Sequence, residues 1–341
     1  MTTKHDNKKD YISMWFDVRK EQGINDDMSA GPMNTVTQSV KWHQFRHRDM
    51  DGLGGLAKIL RQHGYPSRVL PSSSDRHQPT FFQLIKLMFK MPKVAVPKRI
   101  KWLKTYPDYQ QLNPANTNDA PISSGLFSEQ DTQEIQAQAR KHRVALSIYL
   151  FWALNKSIAD NLLDGHQEYY WFYPVNLRGA VNFNDDTQNC SSGVNVHLSN
   201  SIAPKEIQSR IKLQLKAKAH WVLWWQANIG KLIGMKGVRF IYKLISGRQF
   251  YAGSFSFLGS WPLRAHDNPP TNLDEAWVAC GIGTENYPVS TGILIWNNQL
   301  TLGLKLHPYI CNDVVITDQC MRDWKHNLLT GHCSNESEKT V

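Results

Sequence analysis

The sequence predicts a layered α/β fold. Short apolar runs with period-two alternation take turns along the chain with helical stretches, no internal repeat is visible, and no run of about 18 uninterrupted apolar residues suggests a membrane span. A chain of 341 residues can bury a large core, as one big domain or two closely packed halves. At 41% hydrophobic and 20% charged residues, with 12 Trp, disorder over most of its length is excluded.

Residues 1–30 are polar and read as a frayed terminus. A strand is expected from Val36 to Arg46, with Val36, Val40 and Trp42 on one alternating face. It runs into HRDMDGLGGLAKILRQHG, read as a strand end, a sharp turn at Gly52, Gly54 and Gly55, and a short helix closed by Gly64. Residues 66–125 read as a long basic crossover ending in the linker-like NPANTNDAPISSG. Ser128, with Asp131 three residues on, signals a capped helix continuing through EIQAQARKH. The next helix, Ser147 to Leu163, is apolar on almost every side and is expected to be buried. YYWFYPVNLRG and GVNVHLSN read as strands, and the stretch from Ala203 to Gly230 as helix with Pro204 in its first turn. FYAGSFSFLGSW is a further strand, TGILIWNNQLTLGLKLH a hairpin about Asn297-Asn298, and Ile316 to Leu329 a closing helix.

The net charge of +10 sits in two stretches. Lys86 to Lys104 holds seven bases and no acid, and Lys205 to Arg248 holds ten bases against Glu206 alone. Such fields suit either a solvated basic surface or a polyanion such as a carrier's phosphates, anionic lipid or nucleic acid. Nucleic acid is disfavoured, because no recognition motif accompanies the charge. FFQLIKLMFKMPKVAVPKRIKWLK and WVLWWQANIGKLIGMKGVRFIYKLISGR have the composition of interfacial amphipathic segments, or of helices with one face in the core, so peripheral membrane contact is one expectation. The five cysteines form no CxxC pair or metal-ligand spacing, which points to reduced thiols, no metal and a cytoplasmic protein. The opening MTTKHDNKKDYISMW lacks a signal peptide's apolar core.

The candidate chemistry lies in His47-Arg48-Asp49-Met50-Asp51-Gly52. A histidine at a strand end can present a neutral imidazole to a cavity, and its ordinary pKa near 6.5 suits proton abstraction at neutral pH. An aspartate four residues later can fix the turn by pairing with a base. On the pattern alone a structural histidine is the better reading. His43, His197 and His307 read as core or surface histidines, and Asp185-Asp186 as a loop.

Two further segments follow in order, PVNLRG (174–179) and SFSFLGSW (254–261). With HxxxDG, and with TLGLKLHP followed by a helix containing MRDWKHNLL, they resemble the chloramphenicol acetyltransferase-like superfamily over residues 36–330. That group includes condensation domains, wax ester synthases and plant alcohol acyltransferases. The resemblance implies a two-layer sandwich of mixed sheet and helices, and acyl transfer from acyl-CoA or the phosphopantetheine thioester of an acyl carrier protein to an alcohol or amine. It implies no permanently bound cofactor. His47 then takes the place of the family's catalytic histidine, Asp51 that of its structural aspartate, and Arg178 is the expected ion-pair partner. Gly52 opens the turn, and Ser256 is a candidate oxyanion donor or an ordinary strand serine.

Two departures stand out. Arg46 occupies the first histidine of HHxxxDG, and only 46 residues precede His47. The expected organisation is a reduced N-terminal lobe (1–65), a basic crossover (66–125), an acyltransferase lobe (126–333) and a tail (334–341), with the missing channel wall supplied by a second subunit. A catalytically silent relative that binds a carrier or anionic membrane is the competing expectation.

Overall fold

The hairpin of β9 (Val289–Trp296) and β10 (Gln299–Leu306) lies at the centre of the structure, a computed structural model that describes residues 11–90, 98–108, 122–181, 185–246, 251–263 and 274–331. Asn297 and Asn298 both take positive φ, 42° and 69°, as a tight two-residue hairpin turn needs and as Asn tolerates. Every residue of β9 is buried. Ile293 and Ile295 face one core, Leu294 and Trp296 another, which is why the second half of this strand is continuously apolar and does not alternate.

Around the hairpin runs a seven-stranded mixed sheet in the order β3 (Ile122–Leu126), β10, β9, β6 (Tyr251–Ser254), β4 (Glu168–Asn176), β5 (Ser191–Ser199), with β7 (Phe257–Trp261) also paired to β9. β6 runs parallel to β4 and β9, and β7 is parallel to β9. A second, antiparallel sheet of three strands is ordered β2 (His43–Arg46), β1 (Asp27–Asn34), β8 (Glu275–Cys280). β8 lies directly on the hairpin. A Cβ on Gly303 would stand 2.1 Å from the Ala279 carbonyl oxygen, so only glycine allows this approach. The Thr301 hydroxyl donates to the Trp277 carbonyl across the same seam at 2.7 Å.

On the other face pack α4 (Glu129–Lys141), α5 (Leu146–Leu162) and α9 (Val314–Thr330). Ser128 and Asp131 form a reciprocal capping box at the start of α4. The buried α5 is fastened to α9 by polar groups: Trp324 Nε1 donates to the Leu150 carbonyl at 3.1 Å and Ser157 Oγ to that of Cys320 at 2.6 Å. Asn155 Oδ1 accepts from both Tyr169 and Trp171, so the buried amide is satisfied by the strand it faces. The remaining helices are α1 (Tyr11–Glu21), α2 (Gly52–Gln62), α3 (Phe81–Lys90), α6 (Pro204–Lys216), α7 (Ala219–Asn228) and α8 (Gly230–Ser246).

Several expectations are corrected. Within residues 1–30, α1 is a helix whose Val18 is buried against Val238 and Tyr242 of α8, and β1 is held between β2 and β8. The expected strand 36–46 is reduced to its last four residues. Asn34 Oδ1 accepts from the amides of Val36 and Thr37, making a turn there and leaving Val36 exposed. Ile122–Leu126, taken as linker, pairs with β10, while 113–121 of that stretch lie outside the described residues. The long helix after Ala203 breaks at Lys218, which takes φ 58°, and the strand after Phe250 divides into β6 and β7. Gly54 and Gly55 stand inside α2. Cys190, Cys280, Cys311 and Cys320 are buried free thiols; Cys333 and the expected tail lie outside the described residues. No helix among the described residues is long and apolar enough to cross a membrane.

A Cβ on Gly55 would lie 1.9 Å from the Phe45 ring, so α2 can approach β2 only because the side chain is missing. Gly55→Ala should therefore lower stability by about 1–3 kcal/mol in denaturant unfolding, although alanine improves helix propensity by about 1 kcal/mol. Trimming the ring with Phe45→Leu in the same chain should recover part of the loss.

Candidate active site

The turn that carries the candidate chemistry is built by main-chain bonds. The His47 amide donates to the Asp26 carbonyl at 3.0 Å, and the amides of Asp49 and Met50 fold back to the Arg46 carbonyl. Asp51 then takes an extended conformation and caps α2, its Oδ1 accepting from the Gly54 amide at 2.9 Å. The same oxygen accepts from Arg178 Nη2 at 2.6 Å, and Oδ2 accepts from the Cys190 amide at 3.0 Å. The side chains of this ion pair are 6% and 5% exposed. Arg178 follows β4, and it spends its other donors on the carbonyls of Asp186 and Gln188 and on the Asn176 side chain. A desolvated pair in which all three guanidinium nitrogens and both carboxylate oxygens are engaged is well placed to fix a turn.

His47 is half-buried and points its Nδ1 at the Met50 carbonyl, 3.1 Å away. A carbonyl can only accept, so the proton belongs on Nδ1 and Nε2 is the ring's acceptor. Nε2 has no hydrogen-bond partner among the described residues. Asn189 Nδ2 donates to the His47 carbonyl at 2.9 Å and lies 3.3 Å from Nδ1, holding the residue from the far side. Phe16 of α1 stands edge-on to the imidazole, centroids 5.4 Å apart. Burial pulls the His47 pKa down. The Met50 carbonyl and the Asp51 charge oppose that shift, and the Arg19 guanidinium reinforces it. The imidazole is thus kept neutral at pH 7.

A cavity of about 280 Å³ opens beside the ring and is lined by His47, Asp51, Gly52, Arg178 and Ser256, the five residues singled out from the sequence. Gly52, which opens α2, is pressed close by Leu258 and Met28: a Cβ there would lie 3.0 and 3.3 Å from their side chains. Ser256 sits between β6 and β7, with its amide donating to Thr291 Oγ1 at 3.1 Å and its carbonyl accepting from Ile293. Its hydroxyl has no hydrogen-bond partner among the described residues. Much of the remaining wall is apolar, including Met28, Phe172, Val175, Phe257 and Ile282.

Sequence reasoning missed Asn189, Phe16 and Arg19. No motif marks Asn189, and the other two lie in the segment read as frayed. The remaining histidines stand apart from this cavity's lining: His307 is buried and pulled down to about 3 by desolvation, and His197 packs on Tyr170 in the strand pair β4–β5. No cluster of three or more metal-ligating side chains occurs among the described residues.

No protein-family model matches the chain, and no curated protein matches it in sequence. Solved structures do match in shape. The epimerization domain from the third module of tyrocidine synthetase B superposes with a TM-score of 0.51 at 11% identity, over 87% of this chain and 70% of that one. The EpoB NRPS cyclization-docking bidomain from Sorangium cellulosum gives a TM-score of 0.50 at 12% identity, over 86% of this chain and 60% of that one. The chain has the condensation-domain fold. At these identities what the condensation-domain neighbours share with it is architecture, which does not single out the wax ester synthase branch.

The ion pair is directly testable. Arg178→Ala leaves a buried carboxylate with only amide partners and should reduce unfolding free energy by about 3–5 kcal/mol. Asp51→Asn, which keeps the acceptor for Gly54, should be milder. Equal stability of wild type and Arg178→Ala in denaturant titrations would show that the pair does not hold the turn.

Proposed function

We propose that the protein transfers an acyl group from a thioester to an alcohol or amine, with His47 as general base. One observation carries the reading: a neutral imidazole, its Nδ1 occupied by a main-chain carbonyl, lines a cavity that also takes in the hydroxyl-bearing Ser256. The ordered resemblance of HRDMDG, PVNLRG and SFSFLG to the chloramphenicol acetyltransferase-like superfamily points the same way, and the fold is compatible with it.

In this scheme Nε2 of His47 removes the proton of the acceptor's O–H or N–H as that atom attacks the thioester carbonyl. The carbonyl π electrons move to oxygen and give a tetrahedral oxyanion, to which Ser256 donates a hydrogen bond. The intermediate collapses, the C–S bond breaks, and the imidazolium returns its proton to the departing thiolate. Asp51 stays paired with Arg178 throughout and acts by fixing the turn. A cavity of about 280 Å³ encloses the acyl end and the acceptor group but not a whole coenzyme A. The apolar wall suits an aliphatic or aromatic acyl group. The donor is acyl-CoA or a carrier-bound phosphopantetheine thioester.

A second reading is a silent relative that binds a carrier or anionic membrane without turnover. The chain spans 60–70% of the length of the two neighbours named above. The test is thiol release over a series of acyl-CoA lengths with mixed alcohol and amine acceptors. Transfer should fall about 10²–10⁴-fold in His47→Ala. Release unchanged in that variant, or none from the wild type, would favour the silent relative. The pH dependence adds a second check. A depressed histidine pKa means that kcat/KM rises with pH through a limb below 6.5 and is flat through neutrality. A limb at or above neutrality would exclude His47 as the base.

A further inference from the structure

Helix α3 packs on α7 through one edge only. Leu84 is buried with Trp221 and Leu177, and Phe81 touches Trp225 at 5.8 Å between centroids. The rest of the helix turns its apolar side chains outward. Phe82 is 82% and Phe89 88% exposed, with Ile85 and Met88 between them. Helix α8, which follows α7 directly, repeats the arrangement. Val238 and Tyr242 are buried against α1, while Leu232 is 80% and Phe240 66% exposed and Leu244 also faces solvent. Soluble proteins seldom present clustered phenylalanines and leucines to water without a use.

The charge around these side chains narrows the occupant. Lys86 is exposed among the α3 phenylalanines, and Lys231, Lys236 and Lys243 are exposed along α8. No acid occurs between Asp75 and Asp108, nor between Glu206 and Asp267, so both helices lie in stretches that contribute only positive charge. From outside, Glu21 of α1 holds Arg239 in a bidentate pair. Protruding aromatic and aliphatic side chains interleaved with lysines match the boundary of an anionic bilayer. There the apolar groups enter the acyl region and the ammonium groups stay among the headgroups. A folded partner would instead have to offer a pocket for each projecting ring.

We propose that α3 and α8 dock the protein on an anionic membrane surface. Both helices lie close to the candidate site: α8 packs on α1, whose Phe16 touches the His47 ring, and α3 buries Leu84 against Leu177, the neighbour of Arg178. A docked protein would therefore hold its cavity near the lipid surface. The inference stands on the surface alone and is independent of the acyl-transfer reading.

Sedimentation of the full chain with phosphatidylcholine vesicles, with and without phosphatidylglycerol, tests it. Binding should require phosphatidylglycerol and weaken as salt is raised. It should fall about tenfold or more in Phe82→Ser/Phe89→Ser, and likewise in Leu232→Ser/Phe240→Ser. These side chains are exposed, so the thermal midpoint of each variant should match the wild type and show that folding is intact. Equal binding to neutral vesicles, no binding to either kind, or undiminished binding by either pair of variants would overturn the proposal. So would a lipid-free dimer, or a complex with an acidic carrier protein, that the same substitutions abolish while vesicle binding persists.

Discussion

A buried carboxylate and a buried guanidinium, Asp51 and Arg178, tie together segments that are far apart in sequence. Asp51 belongs to the turn between β2 and α2, Arg178 to the segment after β4, and the Cys190 amide that also donates to Asp51 lies just before β5. Desolvating two ions carries a penalty of several kcal/mol each, and mutual attraction offsets it only when the remaining donors and acceptors are met. Here they are: the guanidinium also reaches two main-chain carbonyls and the Asn176 amide oxygen, and the carboxylate also takes two main-chain amides. The gain is positional. A hydrophobic substitute of equal volume could match the stability but would leave the His47 turn without its anchor to β4 and β5.

That anchor explains the state of the histidine. If Asp51 faced the imidazole directly, it would stabilise the charged ring and raise its pKa. Because the carboxylate is engaged by Arg178 and by the α2 terminus, its pull on His47 is outweighed by burial, and the ring stays neutral. The tautomer is set from elsewhere, by the Met50 carbonyl, three residues along the same turn. The burial that keeps the base neutral and the carbonyl that orients it are thus separate. The His-x-x-x-Asp spacing provides for both, since one turn of chain places a carbonyl under Nδ1 and carries the carboxylate round to the other side.

The parts of this arrangement that were legible in the sequence are those that depend on local pattern or on a residue type with one good use. The Ser128 cap, the hairpin at Asn297-Asn298 and the all-round apolar α5 belong to the first kind. Arg178 came from the resemblance of PVNLRG to the superfamily's segment, and its chemistry agrees, because few residues can neutralise a buried aspartate. The illegible parts owe their structure to distant partners. β1 contains Gly31 and Pro32 and lacks clear alternation, and it is a strand because β8 and β2 flank it. α1 follows a polar opening, and what holds it is distant: Val18 meets Val238 across more than two hundred residues. Gly55 suggested a turn because missing side chains usually serve one, whereas here the missing side chain makes room for the Phe45 ring. Asn189 contributes through a bond to a main-chain carbonyl, which leaves no mark on composition or spacing.

The short N-terminal region takes on a different meaning once α1 is placed. A chain with 46 residues ahead of its motif was expected to lack a wall of the cavity. α1 supplies some of that wall, with Phe16 against the imidazole and Arg19 in the lining, and it is held there by α8 through Val238 and Tyr242. The helix that braces this wall is also one of the two that expose apolar side chains among lysines. α8 is therefore linked by packing through α1 to the ring of His47. α1 rests on this small cluster and is fastened further by polar groups, Trp15 Nε1 donating to the Ala227 carbonyl of α7 and Arg48 pairing with Asp17. The wall beside the imidazole is thus built from residues far apart in sequence that only the fold brings together.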